Sequence, residues 1–295
     1  MHVSIIIPVY EITAFLEEAV QSAASGDYAD KEVLVVDDGS SPENAAVIAS
    51  ICQRYPLVKL LQQPHGGAAA ARNFGVANAS GELVFFLDAD DVLQPGALGF
   101  LVGALREHPD AIASYGRVQM MDAGGRLTGG IMPADARIVS GARVLEFLLE
   151  RKLPFCNGSI IIRKAALEKL DVENTHLTVG EDWVLWCHLA LVGTIIPAGN
   201  RVVLHRRKHG KNVSAQGIEN PELILAAYES IHAHPVFSQA LGEEKCRELK
   251  EKCLCRIHTY LASAYAANGE AEKAAHHFRQ VTLPLSAFDD SGEVA

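Results

Sequence analysis

Three carboxylates, Asp88, Asp90 and Asp91, follow directly on the apolar run Leu83-Val84-Phe85-Phe86-Leu87. A short apolar run without helical period reads as a buried strand. Carboxylates are rarely buried without a partner, so these belong at the strand's solvent-facing end. In open α/β sheets that end is where ligands bind. The D-x-D spacing of Asp88 and Asp90 sets hard oxygen ligands side by side, which suits Mg²⁺ or Mn²⁺ carrying a diphosphate. Taken alone, the same spacing is that of a solvated acidic turn, and the surrounding motifs have to decide.

Five further groups stand where the metal–diphosphate reading needs them. The first apolar run ends in Pro8-Val9-Tyr10-Glu11, an aromatic beside a carboxylate, and the second ends in Asp37-Asp38-Gly39-Ser40. A carboxylate at Asp38 can accept the N3–H of uracil while Tyr10 offers a stacking face, although Asp-Asp-Gly-Ser is also a common turn composition. His65-Gly66-Gly67 precedes a helix that carries Arg72 and Asn73. Its glycines permit close backbone approach, its N-terminus favours anions, and an arginine there can hydrogen-bond nucleotide or phosphate. Gly180-Glu181-Asp182-Trp183 opens another helix, where one acid can act as general base or merely complement the dipole. The basic loop from Arg201 to Lys211, with Arg206, Arg207, Lys208 and His209 clustered, suits a diphosphate leaving group, and His209 can be a neutral metal ligand. A solvated loop or a contact to anionic lipid fits that composition too.

The elements that must position these groups alternate regularly. Val3–Val9, Glu32–Val36, Val58–Leu61 and Leu83–Leu87 read as strands; Ala14–Ala24, Ser41–Arg54, Gly67–Ala79 and Pro95–Glu107 read as helices. Ser41 and Pro42 have the N-cap and N1 signature. Such alternation means βαβ units and a parallel sheet covered on both faces. Strands over Ala111–Met121, Ser159–Arg163 and Thr194–His205, with helices capped by Ser140 and opened by Glu181, are expected to extend that sheet. From Asn220 onward only helices are expected, over Pro221–His232, Glu243–Ala267 and Glu270–Val281; Leu261 to Phe278 has the spacing of a single tetratricopeptide-like pair.

The fold class is therefore α/β, a mostly parallel Rossmann-like sheet with helices on both faces, plus a C-terminal helical appendage. The division expected along the chain is 1–110 for a first half of the sheet domain, 111–215 for a second half, 216–285 for the helical region, and a frayed acidic tail over 286–295. A net charge of −10 excludes a general nucleic-acid binder. The start lacks a basic n-region and its apolar run is cut by Pro8, so no signal peptide is read, and no stretch is long and apolar enough to span a membrane. A cytoplasmic protein is expected, with peripheral contact at the inner face of the membrane left open. The six cysteines form no C-x-x-C pair and are expected reduced.

In order along the chain, Ser4-Ile5-Ile6-Ile7-Pro8-Val9-Tyr10, Val35-Val36-Asp37-Asp38-Gly39-Ser40, Ala71-Arg72-Asn73, Phe86-Leu87-Asp88-Ala89-Asp90-Asp91 and Gly180-Glu181-Asp182 resemble the family 2 glycosyltransferases, over about residues 1–215. The resemblance implies a GT-A fold, with 1–110 its nucleotide-sugar half and 111–215 its acceptor half, and inverting, metal-assisted transfer of a sugar from a nucleotide-sugar to a hydroxyl. It assigns Pro8, Tyr10, Glu11 and Asp38 to the nucleoside pocket, Arg72 to the nucleotide, Asp88 to the ribose side, Asp90 to the metal and Asp182 to the catalytic base. Arg207-Lys208-His209 resembles the R-x-H that closes over the diphosphate, with His209 a second metal ligand. Glu11 departs from the frequent asparagine. The absence of Q-x-x-R-W and of membrane spans points away from processive synthases, toward transfer of single sugars to a glycan, lipid-linked or other acceptor.

Uridine is the favoured base, and the C-terminal helices could serve a homo-oligomer. Two other readings compete: a sugar-nucleotide nucleotidyltransferase, which would want a glycine-rich loop where Pro8-Val9-Tyr10-Glu11 stands, and a non-catalytic scaffold acting through its C-terminal helices.

Overall fold

The computed structural model describes residues 1–11, 13–132, 142–150, 155–170, 180–210 and 221–282. The expected cap Ser140, the end of the basic loop at Lys211 and the tail over 286–295 lie outside the described residues. The chain divides into two compact units, one of residues 1–141, 154–175 and 192–209, the other of 142–153, 176–191 and 210–295. They interleave in sequence, so the linear cuts at 110 and 215 do not follow them.

The first unit holds one sheet. Its described strands are β1 (Val3–Val9), β2 (Lys31–Asp37), β3 (Val58–Gln62), β4 (Leu83–Phe86), β5 (Val92–Leu93), β6 (Ala111–Asp122), β7 (Leu127–Met132), β8 (Ile160–Arg163) and β9 (Thr194–Lys208), in the order β3-β2-β1-β4-β8-β6-β9-β5 with β7 on β6. Strands β1 to β4 pair in parallel through the helices α1 (Leu16–Ser25), α2 (Pro42–Gln53) and α3 (Ala68–Asn78), as βαβ alternation requires. Beyond β4 the ladder is mixed: β8 is antiparallel to β4 and β6, β7 to β6 and β5 to β9, while β6 and β9 are parallel. The sheet is thus mixed overall, with its parallel half where the alternation of strand and helix is regular.

Both sheet faces are covered. Val3, Ile5, Ile7 and Val9 join Leu16 and Val20 of α1, Ile48 of α2 and Leu98 and Leu101 of α4 (Ala97–Glu107) in one buried cluster. Ile6 points to the opposite face, where a Cβ added to Gly75 of α3 would come within 2.4 Å of its Cγ2. Each such aliphatic side chain contributes about 1.5–3 kcal/mol on burial. Strand β9 runs three residues past its expected end at His205, because Arg206, Arg207 and Lys208 continue to pair with Met120, Met121 and Asp122. That extension carries the basic residues alongside β6. The short strands β5 and β7 were not legible in the sequence, one for its length and the other for the glycines at its centre.

The second unit is helical: α5 (Ala142–Leu149), α7 (Glu181–Val192), α8 (Pro221–Ala233), α9 (Pro235–Leu241), α10 (Glu243–Ala267) and α11 (Ala271–Phe278); a one-turn α6 (Lys164–Leu167) belongs to the first. Trp186, Ile231, Phe237, Leu249, Cys253, Ile257 and Leu261 are buried, and Trp183 donates from Nε1 to the Leu148 carbonyl at 2.6 Å. Among the described residues no helix is long and apolar enough to cross a membrane.

Candidate active site

Strand β4 delivers its carboxylates to the edge shared with β1, where Leu87 N–H donates to the Ile6 carbonyl at 2.9 Å. The chain then turns through Asp88, Ala89 and Asp90, closed by Asp91 N–H on the Asp88 carbonyl at 3.1 Å. The end of β9 meets this turn from the far side of the sequence. His209 Nε2 lies 2.8 Å from Asp90 Oδ2, and Arg207 N–H donates to Asp91 Oδ1 at 2.8 Å. Burial raises the pKa of Asp90, and the charge of Asp88 adds to it; burial raises Asp91 well above the usual carboxylate range, with Asp90 and Asp88 adding to it.

A run of carboxylates at a partly buried turn, whose negative charges oppose one another, is a fit for a divalent cation. Among the described residues no cage of three or more His, Cys, Asp or Glu side chains forms. The fit is of Asp90 and His209 as the two protein donors, an oxygen and a nitrogen acceptable to Mn²⁺ or Mg²⁺, with the remaining positions left to ligand and water.

Arg207 is buried; its Nε donates to the Asp90 carbonyl at 2.8 Å, its Nη1 to the Ala123 carbonyl at 3.2 Å and its Nη2 to Glu18, while the guanidinium lies 4.6 Å from the centre of the Phe15 ring. Phe15 also packs against His209, with ring centroids 4.9 Å apart. The guanidinium is thus tied to the backbone of the acidic turn expected to hold the metal.

Asp88, about a third exposed, receives Arg72 Nη2 at 3.2 Å, so those two expected residues do meet. Pro8 sits in β1 opposite Val36, and Tyr10 is largely exposed just beyond the strand. Glu11 takes a left-handed backbone at φ 58° and accepts from Ser41 N–H at 2.5 Å, from Ser41 Oγ at 3.2 Å and from Asn44 Nδ2. Ser41 is the N-cap residue of α2, as expected, without a side-chain cap bond of its own, and Glu11 binds it and Asn44; these bonds, the Ser41 amide first, hold the Glu11 pKa down.

Asp38 Oδ1 accepts from Gln63 Nε2 at 2.6 Å and Gly66 N–H at 2.9 Å, and its Oδ2 from Gly67 N–H at 2.8 Å; His65 Nδ1 lies 3.0 Å from the Asp38 main-chain carbonyl. Asp38 thereby organises the His65-Gly66-Gly67 turn. A Cβ on Gly39 would stand 2.6 Å from His65 N, so only glycine allows the two turns to approach this closely.

Asp182 lies in the helical unit, in the first turn of α7, behind Gly180 at φ 84°. Its Oδ1 accepts from the Trp183 amide at 2.7 Å. Several residues beside these groups were not singled out as functional from sequence: Phe15, Glu18 and Asn157. Asn157 is buried with its Oδ1 unpartnered, next to Gly158, whose amide donates to the Phe86 carbonyl at 2.6 Å. No local spacing announces them, since each is brought to the edge by packing.

A sheet whose parallel half ends in Tyr10, Asp38 and the Asp88–Asp90 pair is matched by a known family. The family model of glycosyl transferase family 2 matches residues 4–171, more than half of the chain. The chain belongs to glycosyl transferase family 2. Asp182, Arg207 and His209 fall beyond the matched span. An uncharacterized glycosyltransferase of Rickettsia bellii is 27% identical over 283 residues, covering 92% of this chain and 39% of the relative. The chondroitin synthase of Pasteurella multocida is 36% identical over 96 residues, covering 32% of this chain and 10% of the synthase. The chain thus spans well under half the length of these relatives. Among solved structures, S. aureus TarS 1–349 in complex with UDP-GlcNAc superposes with a TM-score of 0.58 at 20% identity, covering 95% of this chain and 92% of that one. That likeness establishes the GT-A fold of the family for this chain.

Proposed function

We propose that this family 2 chain transfers a single sugar from a uridine diphosphate sugar to a hydroxyl of a glycan, lipid-linked or other acceptor, with inversion at the anomeric carbon. The observation that carries the reading is the meeting of Asp90 with His209, which stand 119 residues apart in sequence, at the sheet edge where Arg72 also reaches Asp88. UDP-GlcNAc bound to the S. aureus relative supports a UDP-sugar donor.

In this reading Tyr10 supplies a flat apolar face for the base, and Arg72 holds the Asp88 side chain in place beside the ribose and phosphates. Asp90 and His209 would hold a divalent cation, which when bound would neutralise charge on the departing diphosphate. Arg207 fixes the Asp90 backbone so that the carboxylate does not reorganise during transfer. Asp182 accepts the proton of the acceptor hydroxyl as that oxygen attacks the face opposite the leaving group.

The test is a thermal-shift panel of nucleoside diphosphates with and without Mn²⁺. A ligand that binds the folded state raises the melting temperature by mass action. A metal-dependent rise with UDP and none with the other diphosphates is expected. No rise with any diphosphate overturns the reading.

A further inference from the structure

Helix α11 is fastened to the helical unit by a histidine. His277 is its one buried side chain, 8% exposed, while Phe278 beside it is 66% exposed. A helix of 8 residues does not persist unaided in water, so docking decides whether it forms. Its two ends are held differently. At the near end the chain turns through Asn268, Gly269 (φ 78°) and Glu270, whose N–H donates to the Tyr265 carbonyl at 2.9 Å. At the far end His277 Nδ1 meets Nδ1 of His258, in α10, at 2.9 Å, and Thr282 Oγ1 lies 3.4 Å from Cys255 Sγ.

An imidazole nitrogen carries either a proton or a lone pair. Two Nδ1 atoms at hydrogen-bond distance therefore share one proton. The donor ring can be neutral or cationic, but the acceptor ring must be neutral. Protonating the acceptor as well sets two N–H donors and two cations against each other with little solvent to separate them. The charge that acts on both rings from outside the pair is that of His276, whose ring lies 5.2 Å from that of His277. Tyr265 stacks on His277 with planes 10° apart, and Lys273, paired with Glu270, lies 5.1 Å from the Tyr265 ring centre. Burial first, and then the neighbouring imidazoles, lower the pKa of His258 and His277.

We propose that His258 and His277 form an acid-operated clasp, which holds α11 on α10 while the two rings share one proton and releases it when both are protonated. The docked form is the less protonated one. Docking is therefore complete above the ordinary histidine value of 6.5 and is lost as the pH falls below it. Release uncovers the face of Tyr265 on which His277 stacks. The clasp is independent of the transfer reading above.

The experiment is hydrogen–deuterium exchange of the full chain at about pH 7.5 and about pH 5, on either side of the ordinary histidine value, corrected for the intrinsic pH dependence of exchange. Protection over Ala271–Phe278 is expected to fall at least about tenfold at the lower pH, the change that one linked proton gives per pH unit, while α10 stays protected. His258→Asn has an amide that can donate to a bare Nδ1 or accept from a protonated one, so it should keep α11 protected at both pH values. His276→Gln leaves the shared proton in place and should lose protection as wild type does. Should His258→Asn expose α10 at neutral pH, His277→Asn carries the same expectation from the other side of the bond. Wild-type protection that does not change with pH, or an undiminished acid loss in the asparagine variant, overturns the clasp. So does protection near pH 7.5 that vanishes with EDTA, because a metal and not a proton would then join the two nitrogens.

Discussion

Arg207 Nε donates to the main-chain carbonyl of Asp90 at 2.8 Å, across 117 residues of sequence. The bond ties the last turn of β9 to the acidic turn after β4. It works with the Arg207 amide on Asp91 and with the Phe15 ring beneath the guanidinium. Removing this side chain leaves the Asp90 and Ala123 carbonyls without their donor. Arg207→Ala is expected to destabilise the fold by about 2–3 kcal/mol, read as a lower urea midpoint. It should also weaken Mn²⁺ binding, measured directly by titration. Unchanged metal affinity would mean that Asp90 is positioned by other contacts.

Asp182→Asn separates chemistry from binding. As general base, its loss should lower turnover by about 10²–10⁴-fold, while the affinity for UDP stays within twofold of wild type, roughly the error of such a comparison. An equal fall in affinity would place Asp182 in donor binding instead.

Glu32 carries an acid-sensitive share of the sheet's stability. It is buried and accepts from Ser4 Oγ, from the Ser80 amide and Oγ, and from Lys59. Burial alone would raise its pKa, but the Ser80 and Ser4 hydrogen bonds outweigh that and bring it to about 2. A carboxylate whose folded value lies below its unfolded value stabilises above the unfolded one, near 4.5, and loses that contribution as the pH falls toward about 2. The loss should be about 1–2 kcal/mol after allowing for solvent screening. Glu32→Gln should flatten the stability profile in that window, as followed by denaturant unfolding at successive pH values.

His232 sets a second, separate window in the helical unit. Burial brings its pKa down to about 4, against the favourable bond to the Leu149 carbonyl at 3.2 Å. The neutral ring is the folded form, so its contribution is complete above the ordinary histidine value of 6.5 and lost as the pH falls through about 4. The cost on acidification should be about 2 kcal/mol. His232→Gln, which keeps a donor for Leu149 without a titrating group, should melt with less dependence on pH between these values. A wild-type melting curve that does not move between pH 7 and pH 5 would contradict this.

Much of this protein was determined by local pattern. Apolar runs without helical period, spaced by amphipathic segments, specify β1 to β4 and their parallel order, because each such segment has only one way to bury its face. The position of Asp88 and Asp90 follows from the same logic, since charges at the end of a buried strand must reach solvent. What each carboxylate does was decided only by tertiary contact. Glu11, Asp38 and Asp91 look alike in sequence, yet Glu11 binds Ser41 at the start of α2, Asp38 accepts from the turn at Gly66 and Gly67, and Asp91 receives the Arg207 amide. Arg207 looks like a free cation in a basic loop until β9 extends along β6 and buries it against Phe15. Hydrogen-bond capacity is finite, and the partners that use it up come from residues tens to more than a hundred positions away. No spacing rule reports which lone pairs remain for a ligand; packing settles that.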